Sequence, residues 1–328
     1  MADALLMPGS PAGMAWWGGW AAFAAAVSAA LTFATIRWAD RLGVVDRPNA
    51  RSSHVRPTPR GGGVAIVAVG LFAVAALLAA GVAPPMGAGW VLAAAVLVAA
   101  VSGIDDVSSI SPRLRLALHV GTALVAVWAL GPVDVVDLGP LGSLDLGLVG
   151  WPLTVIWIVG MTNAFNFMDG IDGIAGITAV VALGVLAAGL WLAGEAFGSL
   201  VAAALAAAAA GFLVWNWQPA KIFMGDVGSA FLGYVIAVLP LATGPEARRW
   251  LVPLAALVMW PFIFDTAFTL VRRFVNGENI LEAHRSHIYQ RMVIAGWSHR
   301  AVATLYGVAS LIVGLAALYV LTRHTPQH

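Results

Sequence analysis

Ten apolar runs divide this chain, at roughly 15–37, 62–81, 88–104, 116–131, 148–163, 174–193, 198–216, 228–244, 250–271 and 301–322. About 20 apolar residues in a helix cross a hydrocarbon core of about 30 Å. The runs therefore predict an all-α polytopic membrane protein, a bundle of about ten transmembrane helices. Ala and Gly soften several boundaries, which leaves room for an eleventh span or a re-entrant segment. Charged residues make up only 10% of the chain, against about 25% in a soluble domain. Little is left over for a soluble domain, and no repeat or linker divides residues 1–328, so the chain reads as one integral membrane domain. The net charge of +1 gives no footprint for nucleic acid, and the absence of cysteine excludes disulfides and thiolate metal sites. A cleavable signal peptide is not expected, because the first basic residue, Arg37, follows the first apolar run.

Arginine placement predicts orientation. The loop before the second run carries Arg37, Arg41, Arg47, Arg51, Arg56 and Arg60, and alternate loops bring its side to 14 of the 17 basic residues. The positive-inside rule puts that side in the cytoplasm and both termini outside. Asp105, Asp106, Asp169, Asp172 and Asp226 all fall at the same predicted ends. A carboxylate at mid-bilayer costs about 2.5–3.5 kcal/mol on insertion scales. Acids gathered at one set of helix ends therefore point to a shared polar cavity at the cytoplasmic face.

Five motifs fill those ends. In "GIDDVSSISPRLRLALH" (103–119), adjacent Asp105 and Asp106 repel unless a cation or proton lies between them, and Arg115 follows within reach of a phosphate; a solvated helix cap is the plainer reading. "NAFNFMDGIDGIAG" (163–176) spaces Asn163, Asn166, Asp169 and Asp172 by three, a step that drifts round a helix rather than lining one face. The helix is expected to end here and open into a loop of hard oxygen donors, where Gly170 lets a ligand approach the backbone. A simple Asn/Asp/Gly turn would explain fewer of these residues. In "AKIFMGDVGS", Asp226 stands where a new helix begins, a place suited to metal or phosphate, or to an ordinary cap.

"EAHRSHIYQRM" (282–292) places His284, His287 and Arg291 on one predicted helical face. With Arg285 it fits an anion better than zinc, and an interfacial helix is the alternative. "RPNARSSHVRPTPRGGG" (47–63) offers Arg51, His54 and Arg60 to a phosphate, or serves only topology. Asp265, inside an apolar run, is a functional candidate by default, with a pairing to Arg272 as the plainer expectation.

In this order and on this side, the motifs resemble the polyprenyl-phosphate N-acetylhexosamine-1-phosphate transferases, glycosyltransferase family 4, over nearly the whole chain. The resemblance implies transfer of an N-acetylated sugar 1-phosphate from a UDP-sugar to undecaprenyl phosphate, releasing UMP at the inner face of a bacterial cytoplasmic membrane. It assigns Asp105 and Asp106 to the acceptor phosphate. Asn166 and Asp226 go to Mg²⁺, with Mn²⁺ as a substitute. Asp169, Gly170 and Asp172 go to the nucleotide, Arg51, His54, Arg115 and Arg285 to substrate phosphates, and His284 and His287 to the diphosphate as catalytic groups. Many relatives carry three close histidines where this chain has "HRSH". That form looks like the branch initiating surface polysaccharides such as O-antigen, with teichoic-acid linkage or peptidoglycan synthesis as other settings. A homodimer is allowed by the resemblance. An intramembrane prenyltransferase would leave "HRSH" without a task, and a secondary transporter would put polar residues deep in the spans and show internal symmetry.

Overall fold

The computed structural model describes residues 11–46, 57–279 and 284–324, and its elements are mainly helices. They are α1 (Pro11–Leu42), α2 (Gly63–Ala79), α3 (Ala88–Val107), α4 (Pro112–Leu130), α5 (Gly150–Phe167), α6 (Ile174–Leu192), α7 (Ala196–Asn216), α8 (Asp226–Val238), α9 (Pro245–Val258), α10 (Trp260–Val275), α11 (Ile288–Ile294) and α12 (His299–His324). Two antiparallel ribbons of two strands each complete it: β1 (Val45–Asp46) with β2 (Thr58–Pro59), and β3 (Val135–Asp137) with β4 (Ser143–Asp145).

Each of the ten predicted runs coincides with a helix, or with the α9–α10 pair at 250–271. Fewer of them are full spans. Among the described residues seven helices are long and apolar enough to cross a membrane, eight if the bent pair counts as one. Length is the reason for the difference. The 17 residues of α2 and 13 of α8 reach only about 25 and 20 Å at 1.5 Å per residue, short of a core of about 30 Å. Helices α9 and α10 meet at 68°, where Pro261 sits in the first turn of α10 and cannot continue the ladder of hydrogen bonds from α9.

Short α8 is the best-buried helix: all of its residues after Asp226 are buried. It sits in the middle of the bundle with its N-terminus at the polar end. Gly63 and Gly228 make this possible, since a Cβ on either would overlap the other's Cα. The preceding chain runs alongside residues 222–224: Phe223 N–H donates to Pro59 O at 2.8 Å, Gly62 N–H to Phe223 O at 3.0 Å and Gly63 N–H to Met224 O at 2.8 Å. Gly63→Ala should therefore destabilise the protein by about 1–3 kcal/mol, the usual cost of overpacking, read as a lower melting temperature in detergent. Gly184→Ala is the control: nothing lies within 4 Å of its Cβ position, and α6 should hold or gain stability.

Connections α1–α2, α3–α4, α5–α6, α7–α8 and α10–α12 all fall at one end of the bundle. At the other end Arg248 ties separate turns together, donating to Leu130 O at 2.7 Å, Pro132 O at 3.0 Å and Thr243 O at 3.1 Å.

Candidate active site

Helix α3 runs to Val107, so both adjacent acids lie in its last turn, and they do different things. Asp105 Oδ2 is 2.7 Å from Arg115 Nη1, and its Oδ1 accepts from the amide of Ile110. Asp106 instead accepts from the first amides of α8, with Asp226 N–H at 2.9 Å and Val227 N–H at 3.0 Å. It is a cap supplied by a neighbouring helix, and it takes up donors that a helix start leaves orphaned. Arg60 joins it at 3.5 Å and also holds Asp46 at 2.9 Å. Gly225, with φ of +78°, has no room for a Cβ beside Asp106 Oδ2.

Asp226 is thus neither the cap of its helix nor free. Its Oδ2 lies 3.1 Å from Arg115 Nη1, so one guanidinium nitrogen bridges α3 and α8 through Asp105 and Asp226. Asn166, in the last turn of α5, hydrogen-bonds Asp226 and donates its amide to Ser229 Oγ at 2.9 Å. Helix α5 continues past its expected end to Phe167, keeping Asn163 and Asn166 helical, and only then opens into the predicted loop.

The Asp169 side chain, in that loop, has no hydrogen-bond or ion-pair partner among the described residues. Burial, with Asp226 and Asp106 facing it, pushes its carboxyl from 3.8 up to about 8. The folded state therefore binds a proton that the unfolded chain has lost between those values, and stability falls as pH rises through that window. Melting temperature in EDTA should decline from pH 5 to 8.5, and Asp169→Asn should flatten the slope; a wild-type curve without that decline contradicts the assignment.

Asp172 turns away from the acids. Its Oδ1 lies 3.3 Å from His299 Nδ1, and its Oδ2 accepts from Ala220 N–H at 3.1 Å. This pins the loop to α12 and to the 217–220 turn. Asn216 assists, accepting from Gly173 N–H at 3.0 Å and donating to Ile222 O at 2.9 Å. Gly170 is required by packing: a Cβ there would overlap the Tyr289 hydroxyl, which donates to Phe167 O at 3.1 Å.

The histidine motif differs from its predicted form. Helix α11 begins at Ile288, so His284 and His287 precede it and share no helical face. The region is not an interfacial helix either, since Tyr289 and Gln290 are buried. The two imidazoles still meet, with ring centroids 5.0 Å apart. His284 Nδ1 contacts Ser286 Oγ at 2.9 Å. Burial, helped by His287 and Arg273, lowers its pKa to about 4, so it is neutral at physiological pH. Arg285 has no carboxylate partner among the described residues and stays available to an anion. The expected Asp265–Arg272 pair is absent: Arg272 donates to Ser286 O at 3.0 Å, while Asp265 binds His287 Nδ1 at 3.1 Å. Arg51 and His54 lie outside the described residues.

Some of these groups line one cavity of about 780 Å³, whereas Asp105, Asp106, Asp169, Gly170, Asp172 and Arg285 do not. Arg115, Asn166, Asp226, His284 and His287 line its polar end, and apolar side chains such as Leu116, Ile156, Trp157 and Leu270 continue it between α4, α5 and α10. The sequence reading missed Ser229, Asn216, Tyr289 and Tyr306, which support the site rather than face it. Tyrosine numbers only four in the chain, and that scarcity is the one signal that could have marked Tyr289 and Tyr306.

The donor set suits a hard divalent cation. Asp106 and Asp226 both raise the proton affinity of Asp169, whose side chain has no hydrogen-bond donor among the described residues. No three acidic or histidine side chains among the described residues form a ready-made metal cage. Mg²⁺ accepts such a site, taking one or two carboxylates and completing its shell with phosphate oxygens and water.

Fold and site together define a multi-pass membrane protein whose helix ends converge on one acidic, cation-compatible cleft. A family model described as glycosyl transferase family 4 matches residues 88–244. A probable undecaprenyl-phosphate N-acetylglucosaminyl 1-phosphate transferase of Bacillus subtilis is 32% identical over 86% of this chain and 78% of its own length. A phospho-N-acetylmuramoyl-pentapeptide-transferase of Synechococcus sp. (strain JA-3-3Ab) is 32% identical over 85% and 84%. A decaprenyl-phosphate N-acetylglucosaminephosphotransferase of Mycobacterium tuberculosis is 30% identical over 85% and 75%. The chain belongs to glycosyl transferase family 4.

Proposed function

We propose that this chain transfers an N-acetylhexosamine 1-phosphate from a UDP-sugar to undecaprenyl phosphate, giving undecaprenyl-diphosphate-sugar and UMP, and so initiates a cell-surface polysaccharide such as O-antigen. The observation that carries the reading is the shape of the cavity. Its polar end gathers Arg115, Asn166, Asp226 and the histidines, and its apolar continuation between α4, α5 and α10 suits an isoprenoid tail. One ligand with a phosphate head and a long hydrocarbon chain fits both halves.

Phosphoryl transfer is mainly a problem of positioning and of neutralising charge. Asn166, Asp169 and Asp226 would hold Mg²⁺, which when bound offsets the charge on the donor diphosphate. Arg115 fixes Asp226 and Asp105 while its remaining N–H groups face the cavity. Asp106 sets the start of α8, and with it the position of Asp226. Arg285 presents N–H donors to phosphate oxygens, and such contacts gain strength where water is scarce. With the basic loops inside, the site faces the cytoplasm and both termini face outward.

The test is purified protein with undecaprenyl phosphate and a panel of UDP-linked N-acetylated sugars, scored by UMP release with and without Mg²⁺. UMP released only with both substrates and the metal is the expected result. Turnover unaffected by EDTA would remove the metal from the account, and no UMP with any sugar would overturn the reading.

A further inference from the structure

Asp265 is fully buried and lies beyond the acidic cleft. A lone carboxylate in such a place is costly unless it is hydrogen-bonded, and this one is heavily bonded. It accepts from Tyr306 Oη at 2.7 Å, Ile288 N–H at 2.8 Å, Tyr289 N–H at 3.0 Å and Thr269 Oγ1 at 3.2 Å. His287 Nδ1 completes the set at 3.1 Å. Three of these partners are consecutive, residues 287–289. One side chain of α10 therefore anchors the whole histidine segment at the start of α11.

The arrangement has a chemical consequence. A carboxylate only accepts hydrogen bonds, so His287 Nδ1 must carry the proton between them. Nε2 is then the ring nitrogen left to the cavity that His287 lines. Asp265 also holds Tyr289, whose hydroxyl closes over Gly170 in the neighbouring loop.

We propose that Asp265 is a positioning residue that fixes His287 in the Nδ1–H form, with Nε2 turned toward the substrate phosphates. This rests on the function proposed above for the identity of those phosphates, but the tautomer claim stands on its own. Asp265 touches no reacting atom. Its effect passes through His287, so the two side chains act as one unit.

Two measurements on the full chain in lipid nanodiscs test it. Steady-state kinetics with undecaprenyl phosphate and UDP-N-acetylglucosamine compare Asp265→Asn, His287→Gln and the double variant. Asp265→Asn should lower kcat by about 10²-fold, the scale of one misplaced group, with each KM within about threefold. The double variant should fall no more than about threefold below His287→Gln alone. Independent, multiplicative losses would overturn the proposal, as would full activity of Asp265→Asn.

Solid-state ¹⁵N NMR of histidine-labelled protein is the second measurement, with the His287 signal assigned by its loss in His287→Gln. A protonated Nδ1 in wild type that loses its proton in Asp265→Asn supports the proposal. An unprotonated Nδ1 in wild type overturns it, even where Asp265→Asn fails to fold. Wild type that releases no UMP yet shows the Asp265-dependent Nδ1–H would sink the assigned reaction and leave the positioning role intact.

Discussion

Asp226→Asn should reduce kcat by about 10³-fold, roughly 4 kcal/mol of transition-state stabilisation, while the protein becomes no less stable. The two halves of this expectation have one cause. Asp226 sits among Asp105, Asp106 and Asp169, with Arg115 at 3.1 Å and the Asn166 side chain as its hydrogen-bonding partners. Removing its charge relieves repulsion in the empty site, so the melting temperature should hold or rise in EDTA. The same change removes an oxygen ligand and a negative charge from the proposed metal position, so the variant should also need more Mg²⁺ for half-maximal rate. Activity lost with stability kept is the signature of a residue retained for chemistry at a cost to the fold. A variant that lost both together would mark Asp226 as structural.

Asp106→Asn should behave differently from its neighbour Asp105→Asn. Asp106 receives two amides at the start of α8. An asparagine offers one oxygen and sets an N–H₂ group against the second amide. Losing a charged cap contact costs about 1–2 kcal/mol, and the shifted helix start carries Asp226 with it. Expected are a lower melting temperature and a kcat about 10²-fold down. Asp105→Asn leaves the start of α8 capped and weakens only the contacts to Arg115 and Ile110. Its stability loss should be the smaller of the two, and the pair of melting curves checks the ranking. Equal losses would mean that the two acids share one role.

Much of this organisation was legible in the sequence, because membrane spans and loop charges are written in composition. The ten apolar runs each found a helix or, at 250–271, a pair of helices, and the described parts of the polar motifs fell at one end of the bundle. Length misled at α2 and α8, where flanking Gly and loop residues extended apolar runs beyond helices of 17 and 13 residues. The site was readable where a residue's own chemistry announced it, as for Asp105, Asp106, Asn166, Asp169 and Asp226. It was not readable where meaning depends on a distant partner. Nothing near Asp265 in the chain says that it will face His287 rather than Arg272, 22 and 7 residues away. Nothing in the histidine motif says that its helix starts one residue after His287. Asp172 resembled Asp169 in spacing, yet His299 and the amide of Ala220 claim it.

In the proposed reaction, the groups around Asp226 direct an attack on the sugar-bearing phosphorus of a nucleotide diphosphate. UDP-N-acetylglucosamine labelled with ³²P at the β-phosphate, incubated with the purified chain and undecaprenyl phosphate, follows that phosphorus directly. The label should move into the lipid fraction, with unlabelled UMP appearing in equal amount. Label left in water-soluble UDP while the sugar reaches the lipid would mean that the bond to the sugar breaks instead, and would contradict this account of the site.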